Sequence, residues 1–385
     1  MWSWKQIAAL VPHSAHDSVD WAACLDAFPQ LELAKTTPQD PVYHAEGDVW
    51  THTQMVVREL LAELGVLQGA PAALRPRYDE RYLCATPQER IYRHGLWEEG
   101  LLPQRGLDAA EKAQQKRFHE RMAELKQATG SDGRRLFAIP MALSSRDGKW
   151  LALDRISFRQ WLLDNGFTAP TLHWLANYAC RDDYGMDYAQ TSAWAGLHYF
   201  ACRTGEAANA TADTVLTAPD GNAWLARGLA GRCGERIVTG AMACRVDEGK
   251  HAVAVDVLVG EQMVRYEAQQ LVWAAPLFIL PRLWAAMPAA LRAAALGGDY
   301  GPWLTANLHL SAWPEERYGA VPAWDNVFYD SPGLGYVTAT HQLLRRHVGA
   351  TVFTYYRALH DLPPAEGRRL LLDMPREAWA EGILA

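Results

Sequence analysis

The 385-residue sequence lacks any long hydrophobic run and any excess of positive charge. The stretch that follows Lys5 holds only five apolar residues in a row, too few for a signal-peptide core or a membrane span. With 37 basic residues against 44 acidic ones, the net charge is −7, which gives no field to attract nucleic acid or an anionic membrane. We therefore expect a cytoplasmic globular protein that binds neither nucleic acid nor a membrane, with a small molecule as its substrate if it is active.

Several chemical signatures are also missing. None of the six cysteines forms a CxxC pair, which argues against a zinc knuckle or a thioredoxin-type centre, and we expect reduced thiols. Neither a GxSxG turn nor a phosphate-binding P-loop occurs, so serine hydrolase and nucleotide hydrolase chemistry has no support. The 16 tryptophans favour aromatic packing in a core, with a stacked planar ligand as the alternative.

The periodicity of apolar residues predicts an α+β protein. Residues 55–67 have the pattern of an amphipathic helix with Gly65 near its end. From residue 215 the pattern predicts one helix and then three consecutive strands separated by polar turns. The last third mixes four predicted strands with a closing helix in "PAEGRRLLLDM".

A short polar loop near the amino terminus contains metal-binding residue types. His44, Glu46, Asp48 and His52 lie within nine residues. The loop "TPQDPVYHAEGDVWTHTQMV" resembles the start of HD-domain phosphohydrolases, and this resemblance covers about residues 1–57. In that family the His matching His52 is joined by a His-Asp pair a few dozen residues later, which this sequence lacks there. We therefore expect an incomplete site without a bound divalent metal, and a polar loop that caps a helix is the alternative.

A second and longer resemblance begins at about residue 57. The blocks "YDERYLCATPQERIYRHGLWEEGLLP", "DGNAWLARGLA", "LVWAAP" and "AWDNVFYDSPGLGYVTATHQ" occur in the order found in bacterial FAD-dependent oxidoreductases of the flavin amine oxidase type. Two units are thus predicted to meet between Gln54 and Leu61, as in a fusion. The predicted divisions are an HD-like segment 1–57, a helical substrate-domain part 58–214, a partial FAD-binding lobe 215–276 and a mixed-sheet part 277–385.

The resemblance implies FAD as the cofactor, and two of the three regions that contact FAD in the family have no match in this sequence. The strand, glycine-rich turn and helix that receive the pyrophosphate are not found. The glycines of residues 228–234 are interpreted as the end of a helix. The third region, which covers the adenine in relatives, matches Gly221, Asn222, Trp224 and Ala243. Alone it is not expected to hold FAD, and a partner chain or a second copy would have to cover it.

Two polar clusters are candidates for the substrate pocket. "CRDDYG" and "SAWAGLHYFACR" supply the candidate residues Arg181, Asp182, Asp183, Tyr184 and His198. The alternatives are an ordinary helix end for the first cluster and a core stripe for the second. Where many relatives place a lysine near the flavin, this sequence has Ala306 and Asn307.

Taken together, the sequence predicts an FAD-dependent oxidoreductase that is incomplete, and inactive on its own, as this chain. Two alternatives stay open: a fragment of an HD-type metal-dependent phosphohydrolase, and a non-catalytic remnant or binding protein.

Overall fold

The described part of the chain forms two units that both combine helices with strands, which confirms the α+β prediction. The computed structural model describes residues 57–139, 141–211, 214–218, 221, 223–343 and 349–384. Residues Ala226–Tyr300 form one unit, which we call the meander unit. The described residues of Pro41–Leu225 and Gly301–Ala385 form the other, which we call the large unit. Within these ranges no helix is long and apolar enough to cross a membrane.

The helices are mostly short. They are α1 (57–63), α2 (Ala109–Gln127), α3 (Gly148–Leu151), α4 (Phe158–Asp164), α5 (Pro170–Tyr184), α6 (Ala193–Ala201), α7 (Ala223–Cys233), α8 (Leu280–Leu283), α9 (Ala289–Gly297), α10 (Pro364–Asp373) and α11 (Arg376–Leu384). Single 3-10 turns occur at Glu80–Tyr82, Met141–Leu143, Ala152–Arg155, Gly234–Arg236 and Leu277–Ile279.

Side-chain caps fix where the main helices of the large unit begin. Asp108, Ser157 and Ser192 each accept a hydrogen bond from a backbone N–H in the first turn of α2, α4 and α6. Helix α5 begins instead with Pro170 and ends at Gly185, whose φ of 66° is the left-handed conformation that glycine adopts freely. These four helices bury a shared aromatic and aliphatic core.

Eleven strands in the described ranges form three sheets. They are β1 (Leu67–Gln68), β2 (Arg77–Tyr78), β3 (Glu89–Arg93), β4 (Leu96–Glu99), β5 (Ala241–Glu248), β6 (Val253–Val259), β7 (Gln262–Ala268), β8 (Trp303–Leu310), β9 (Asp325–Phe328), β10 (Gly335–Thr338) and β11 (Thr351–Ala358). In the described residues β1 and β2 pair alone, and β5, β6 and β7 form the antiparallel meander. The other six form one sheet in the order β4-β3-β9-β10-β11-β8.

One face of the six-stranded sheet packs against helix α5. Strand β3 pairs in parallel with β9, so that Glu89 lies beside Asp325, and the other pairs are antiparallel. Tyr178 of α5 packs in a buried cluster with Val327 of β9 and Leu334. Because side chains alternate along a strand, Asp325 and Val327 point to this helix-covered face and Asn326 points to the other.

A buried arginine organises the opposite face of the same sheet. Arg90 of β3 is 1% exposed, and its guanidinium lies 4.0 Å from the centre of the Trp97 ring. It donates to the Glu316 carboxylate at 2.9 Å, to the Ala320 carbonyl at 3.1 Å and to the Asn326 side chain. The guanidinium therefore ties the loop after β8 to the middle of the sheet.

The meander unit has its own small core. Val246 and Val255 lie on the face of the meander that packs against α8, where they contact Leu280, Met287 and neighbouring apolar residues. On the outer face Arg265 forms ion pairs with Asp247 at 3.1 Å and Asp256 at 2.8 Å. This unit is therefore a three-stranded sheet with one apolar and one largely polar face.

Most of the predicted elements are present. The three strands after residue 240, the four strands of the last third and the helix beginning at Pro364 are confirmed. The described helix at 57–63 ends before Gly65, which has a φ of 74°, and Leu67 belongs to a strand rather than to the predicted helix. The boundaries proposed at residues 57, 214 and 276 stay predictions.

Candidate functional site

A buried carboxyl group lies at the start of strand β9. Asp325 is 7% exposed, and each of its two oxygens accepts a hydrogen bond from a tyrosine. Tyr178 of α5 donates to Oδ2 at 3.1 Å, and Tyr356 of β11 donates to Oδ1 at 2.7 Å. Two elements far apart in the chain thus hold one carboxyl group by both of its oxygens.

A second carboxyl group approaches from helix α5. Trp174, Tyr178 and Asp182 are spaced four residues apart and therefore share one face of that helix. Asp182 is half-buried, and in the part of the chain that the structure describes its carboxylate forms no hydrogen bond or ion pair. Glu89, next to Asp325 on the neighbouring strand, adds a third carboxyl group on the same face of the sheet.

Burial and mutual repulsion raise the pKa of both aspartates. Burial is the larger cause for Asp325, and the charge of Glu89 adds to it, so that the pKa reaches about 7 although the two tyrosine hydrogen bonds oppose the change. For Asp182, burial and then the charges of Asp325 and Asp183 raise the pKa to about 7. Both groups therefore exchange protons near neutral pH.

The surrounding phenols stay protonated. Burial, followed by the negative charge of Asp325, raises the pKa of Tyr178 and of Tyr356 well above 10. Burial and then Asp182 and Glu89 likewise raise the pKa of Tyr199. All three phenols therefore keep their protons at physiological pH, and Tyr178 and Tyr356 are hydrogen-bond donors to Asp325.

Of the predicted pocket residues, only Asp182 belongs to this buried carboxyl cluster. Arg181 is buried and points to the Pro332 carbonyl at 3.5 Å, whereas Asp183 is exposed and lies 3.7 Å from Arg203. The Tyr184 hydroxyl donates to the Ala195 carbonyl at 2.7 Å. His198 stacks on Trp194, with ring centres 5.1 Å apart, and hydrogen-bonds the Ala138 carbonyl at 2.8 Å. Their substrate-binding role stays a prediction.

Four residues of the cluster were absent from the sequence-based candidates, and one of them is Glu89, which lies beside Asp325. Asp325, Tyr178 and Tyr356 come from segments up to 178 positions apart in the chain, and no local motif joins them. A signal did exist for the helical part, because the spacing of Trp174, Tyr178 and Asp182 can be read in "WLANYACRD". Nothing comparable marks Asp325, whose neighbours depend on strand pairing.

The residues predicted to form a partial FAD-binding lobe are spread over both units. Gly221 is an exposed turn residue with a φ of 62°, and Trp224 packs against Tyr82 with ring centres 5.1 Å apart. Ala243 lies on β5 next to a bulge. Asn222 lies outside the described residues. Their role toward FAD stays a prediction.

The described residues do not fit the pyrophosphate of FAD. The glycines of residues 228–234 lie inside α7 or directly after it, which confirms that they end a helix rather than open one. Carbonyl groups at the end of a helix repel phosphate, whereas the N–H groups at its start attract it. Across the described ranges, no glycine-rich turn joins the end of a strand to the start of a helix.

The two positions predicted to stand where many relatives have a lysine lie on an edge strand of the described sheet. Ala306 and Asn307 belong to β8, and the Asn307 side chain accepts a hydrogen bond from the Thr354 hydroxyl at 2.9 Å. Thr354 lies on the same face of β11 as Tyr356, so Asn307 shares the sheet face of the carboxyl cluster.

The predicted metal residue His52 lies outside the described residues, as do His44, Glu46 and Asp48. Among the residues that the structure does describe, no group of three or more His, Cys, Asp or Glu side chains is placed to hold a metal ion. The HD-type resemblance therefore stays a prediction.

Comparison with known structures identifies the fold. It is similar to that of flavin amine oxidases. An engineered triple variant of putrescine oxidase matches with a TM-score of 0.56 and 12% sequence identity over 85% of this chain. Wild-type putrescine oxidase bound to putrescine matches with a TM-score of 0.56 and 13% sequence identity over 85% of this chain. Cyclohexylamine oxidase from Brevibacterium oxydans IH-35A matches with a TM-score of 0.53 and 13% sequence identity over 86% of this chain.

The chain spans 65–66% of the length of these three proteins. No protein-family model matches the sequence, and no curated protein matches it at a significant level. At such low identity the comparison establishes the fold.

Proposed function

We propose that this chain supplies the substrate-binding part of an FAD-dependent oxidoreductase of the flavin amine oxidase type, and that it binds a protonated amine at Asp182 and Asp325. The fold supports the class of enzyme, since its structural neighbours are amine oxidases. The observation that carries the proposal is the buried carboxyl cluster, which lies on the helix-covered face of the large sheet.

The charges of the cluster are arranged to attract a cation. Asp182, Asp325 and Glu89 bring three carboxyl groups to one face, while the charges of Arg203 and Arg181 act in the opposite direction on the pKa of Asp182. Like charges close together raise each other's pKa, and a bound cation relieves that repulsion. An alkylammonium group also supplies N–H donors, which the Asp182 carboxylate lacks among the described residues.

Amine affinity should rise with pH. An alkylamine keeps its charge at pH 8, as lysine does with its pKa of about 10.4. Only an ionised carboxylate attracts it, and both aspartates have a pKa of about 7. We therefore expect the affinity for cyclohexylamine to increase at least about tenfold between pH 6 and pH 8. Isothermal titration calorimetry at both values measures this, and cyclohexanol, which has a similar shape and no charge, should bind at neither pH.

The contribution of Asp182 can be separated from that of its neighbour. Asp182→Asn removes the unpartnered carboxylate and should lower the affinity for cyclohexylamine at pH 8 about ten- to a hundredfold, the usual range for a hydrogen bond to a charged group. Asp183→Asn is the matched control because Asp183 is adjacent but exposed, and it should bind nearly as the wild type does. Equal losses in both variants would refute the assignment of Asp182.

FAD is proposed as the cofactor because of the fold alone. Its pyrophosphate would have to be held by residues outside the described ranges or by a partner chain, since the described glycines do not suit it. We therefore expect that, after incubation with FAD and desalting, the chain retains a substoichiometric amount of flavin, measured from the visible absorption band against protein concentration. Stoichiometric retention would contradict this expectation, and it would leave the amine-binding proposal unaffected.

A further inference from the structure

A column of stacked aromatic rings leads away from the buried carboxyl group. The Tyr178 and Trp174 rings are 5.4 Å apart and inclined by 21°. The Trp174 and Tyr329 rings are 4.7 Å apart, also at 21°, and the indole N–H donates to the Tyr329 carbonyl. Beyond them, the guanidinium of Arg93 lies 4.8 Å from the centre of the Tyr329 ring. The three rings are in near-parallel contact.

The two ends of this column differ in chemistry. Tyr178 is 1% exposed, and its hydroxyl donates to the Asp325 carboxylate. Tyr329 is half-exposed and is followed by the exposed Asp330. The column therefore connects the protein surface to Tyr178, whose hydroxyl proton has Asp325 as an acceptor.

We propose that Trp174 and Tyr329 conduct an oxidising equivalent between the protein surface and Tyr178, with Asp325 as the proton acceptor. Phenol and indole are among the side chains most easily oxidised by one electron, and electron tunnelling between rings in contact is fast. A phenol is oxidised far more readily when a base accepts its proton at the same time. This function requires neither an amine nor FAD, so it does not depend on the function proposed above.

The reaction balances with a one-electron oxidant at the surface. The oxidant takes one electron either from Trp174 directly or from Tyr329, which then takes one electron from Trp174. In both cases Trp174 becomes an indole radical cation. Tyr178 then passes one electron to Trp174 and its hydroxyl proton to Oδ2 of Asp325. The O–H bond of Tyr178 breaks and a new O–H bond forms on Asp325. The products are a neutral tyrosyl radical, a neutral carboxylic acid and restored Trp174.

The proton acceptor makes the step dependent on pH. The titratable groups that face Asp325 are Cys84, Glu89, Tyr178, Asp182 and Tyr356, and the phenols and the thiol stay protonated in this range. Because the pKa of Asp325 is about 7, its carboxylate is lost below that pH. The yield of the Tyr178 radical should then fall about tenfold between pH 8 and pH 6.

Photo-oxidation of the full chain by a ruthenium tris-bipyridine complex with an electron scavenger tests the proposal. Rapid freezing and electron paramagnetic resonance then measure tyrosyl radical, and the Tyr178 signal is the wild-type spectrum minus that of Tyr178→Phe. We expect Trp174→Phe and Asp325→Asn to lose this signal and Tyr329→Phe to reduce it. Tyr356→Phe is the matched control, because Tyr356 donates to the same carboxylate outside the column, and it should keep the signal.

Two results would overturn the proposal. One is a wild-type spectrum identical to that of Tyr178→Phe, which would mean that no radical forms at Tyr178. The other is full retention of the Tyr178 signal in both Trp174→Phe and Tyr329→Phe, which would mean that the column is not the route. Thermal melting of each variant identifies any that fail to fold, and the surface position of Tyr329 keeps the test available if Trp174→Phe is one of them.

Discussion

Asp325→Asn should make the protein more stable at pH 8 than the wild type. In the folded chain burial and Glu89 raise the pKa of Asp325 from 3.8 to about 7, so the folded state holds a proton that the unfolded state releases. The contribution of Asp325 to the free energy of unfolding is therefore fully present below about pH 4. It is lost as pH rises toward 7, at about 1.4 kcal/mol per pH unit and about 4 kcal/mol in all. Asparagine has nearly the same shape and no charge, so the variant avoids this loss.

Thermal melting across pH measures the effect. The melting temperature of Asp325→Asn should exceed that of the wild type by several degrees at pH 8, and the difference should shrink toward pH 5. The control is Asp330→Asn, an exposed aspartate on the same segment, which should follow the wild-type curve. A variant that is less stable than the wild type at pH 8 would contradict this expectation, because it would show that the two tyrosine hydrogen bonds require the carboxylate and outweigh its burial.

Arg90→Met should destabilise the large unit strongly. Methionine fills much of the same space but removes one donor each from the Ala320 carbonyl and the Asn326 side chain, and it leaves the Glu316 carboxylate without its ion-pair partner. Breaking a buried ion pair from one side usually costs about 3–5 kcal/mol. Since the Glu316 side chain is 31% exposed and can be partly rehydrated, we expect about 3 kcal/mol. Urea unfolding followed by tryptophan fluorescence measures this as a lower midpoint.

A surface pair of the same geometry provides the comparison for Arg90. Arg121 and Glu124 are 2.8 Å apart, and their side chains are 40% and 66% exposed. Arg121→Met should therefore cost less than about 1 kcal/mol. If the two variants lose similar amounts of stability, burial does not strengthen the Arg90 network and the stacking on Trp97 contributes little.

Local patterns in the sequence were enough to predict most secondary structure. The strands of the meander alternate apolar and polar residues, which is the pattern of a half-buried strand. The glycines in and after the helix Ala223–Cys233 indicate the end of that helix. The end of the first described helix was missed because Val66 and Leu67 continue its apolar pattern, although their burial comes from a short strand pair. Tertiary contacts overrode periodicity at that point.

The candidate site was much less accessible from the sequence. Asp182 could be named because its charge follows an apolar helix, but its neighbours Arg181 and Asp183 looked equally suitable. Only the direction of each side chain around α5 distinguishes Asp182, which shares the face of Tyr178, from Arg181, which is buried toward the Pro332 carbonyl, and from the exposed Asp183. The environment of Asp325 is made by a parallel strand and by two tyrosines that are distant in the chain. A single sequence does not show which distant residues pair.

The parallel pairing of β3 with β9 has a consequence for how the chain finds its alignment during folding. A slip of β3 by one residue would place Arg90 beside Asp325. The charge of Asp325 would then be neutralised, which lowers the electrostatic energy of the buried carboxylate. The native alignment prevails because the slip would also turn Ile91 away from its buried place and remove Arg90 from Trp97 and Glu316. The native register thus keeps the unfavourable proximity of Asp325 and Glu89 although another register would remove it. Natural proteins break such local rules mainly at functional sites.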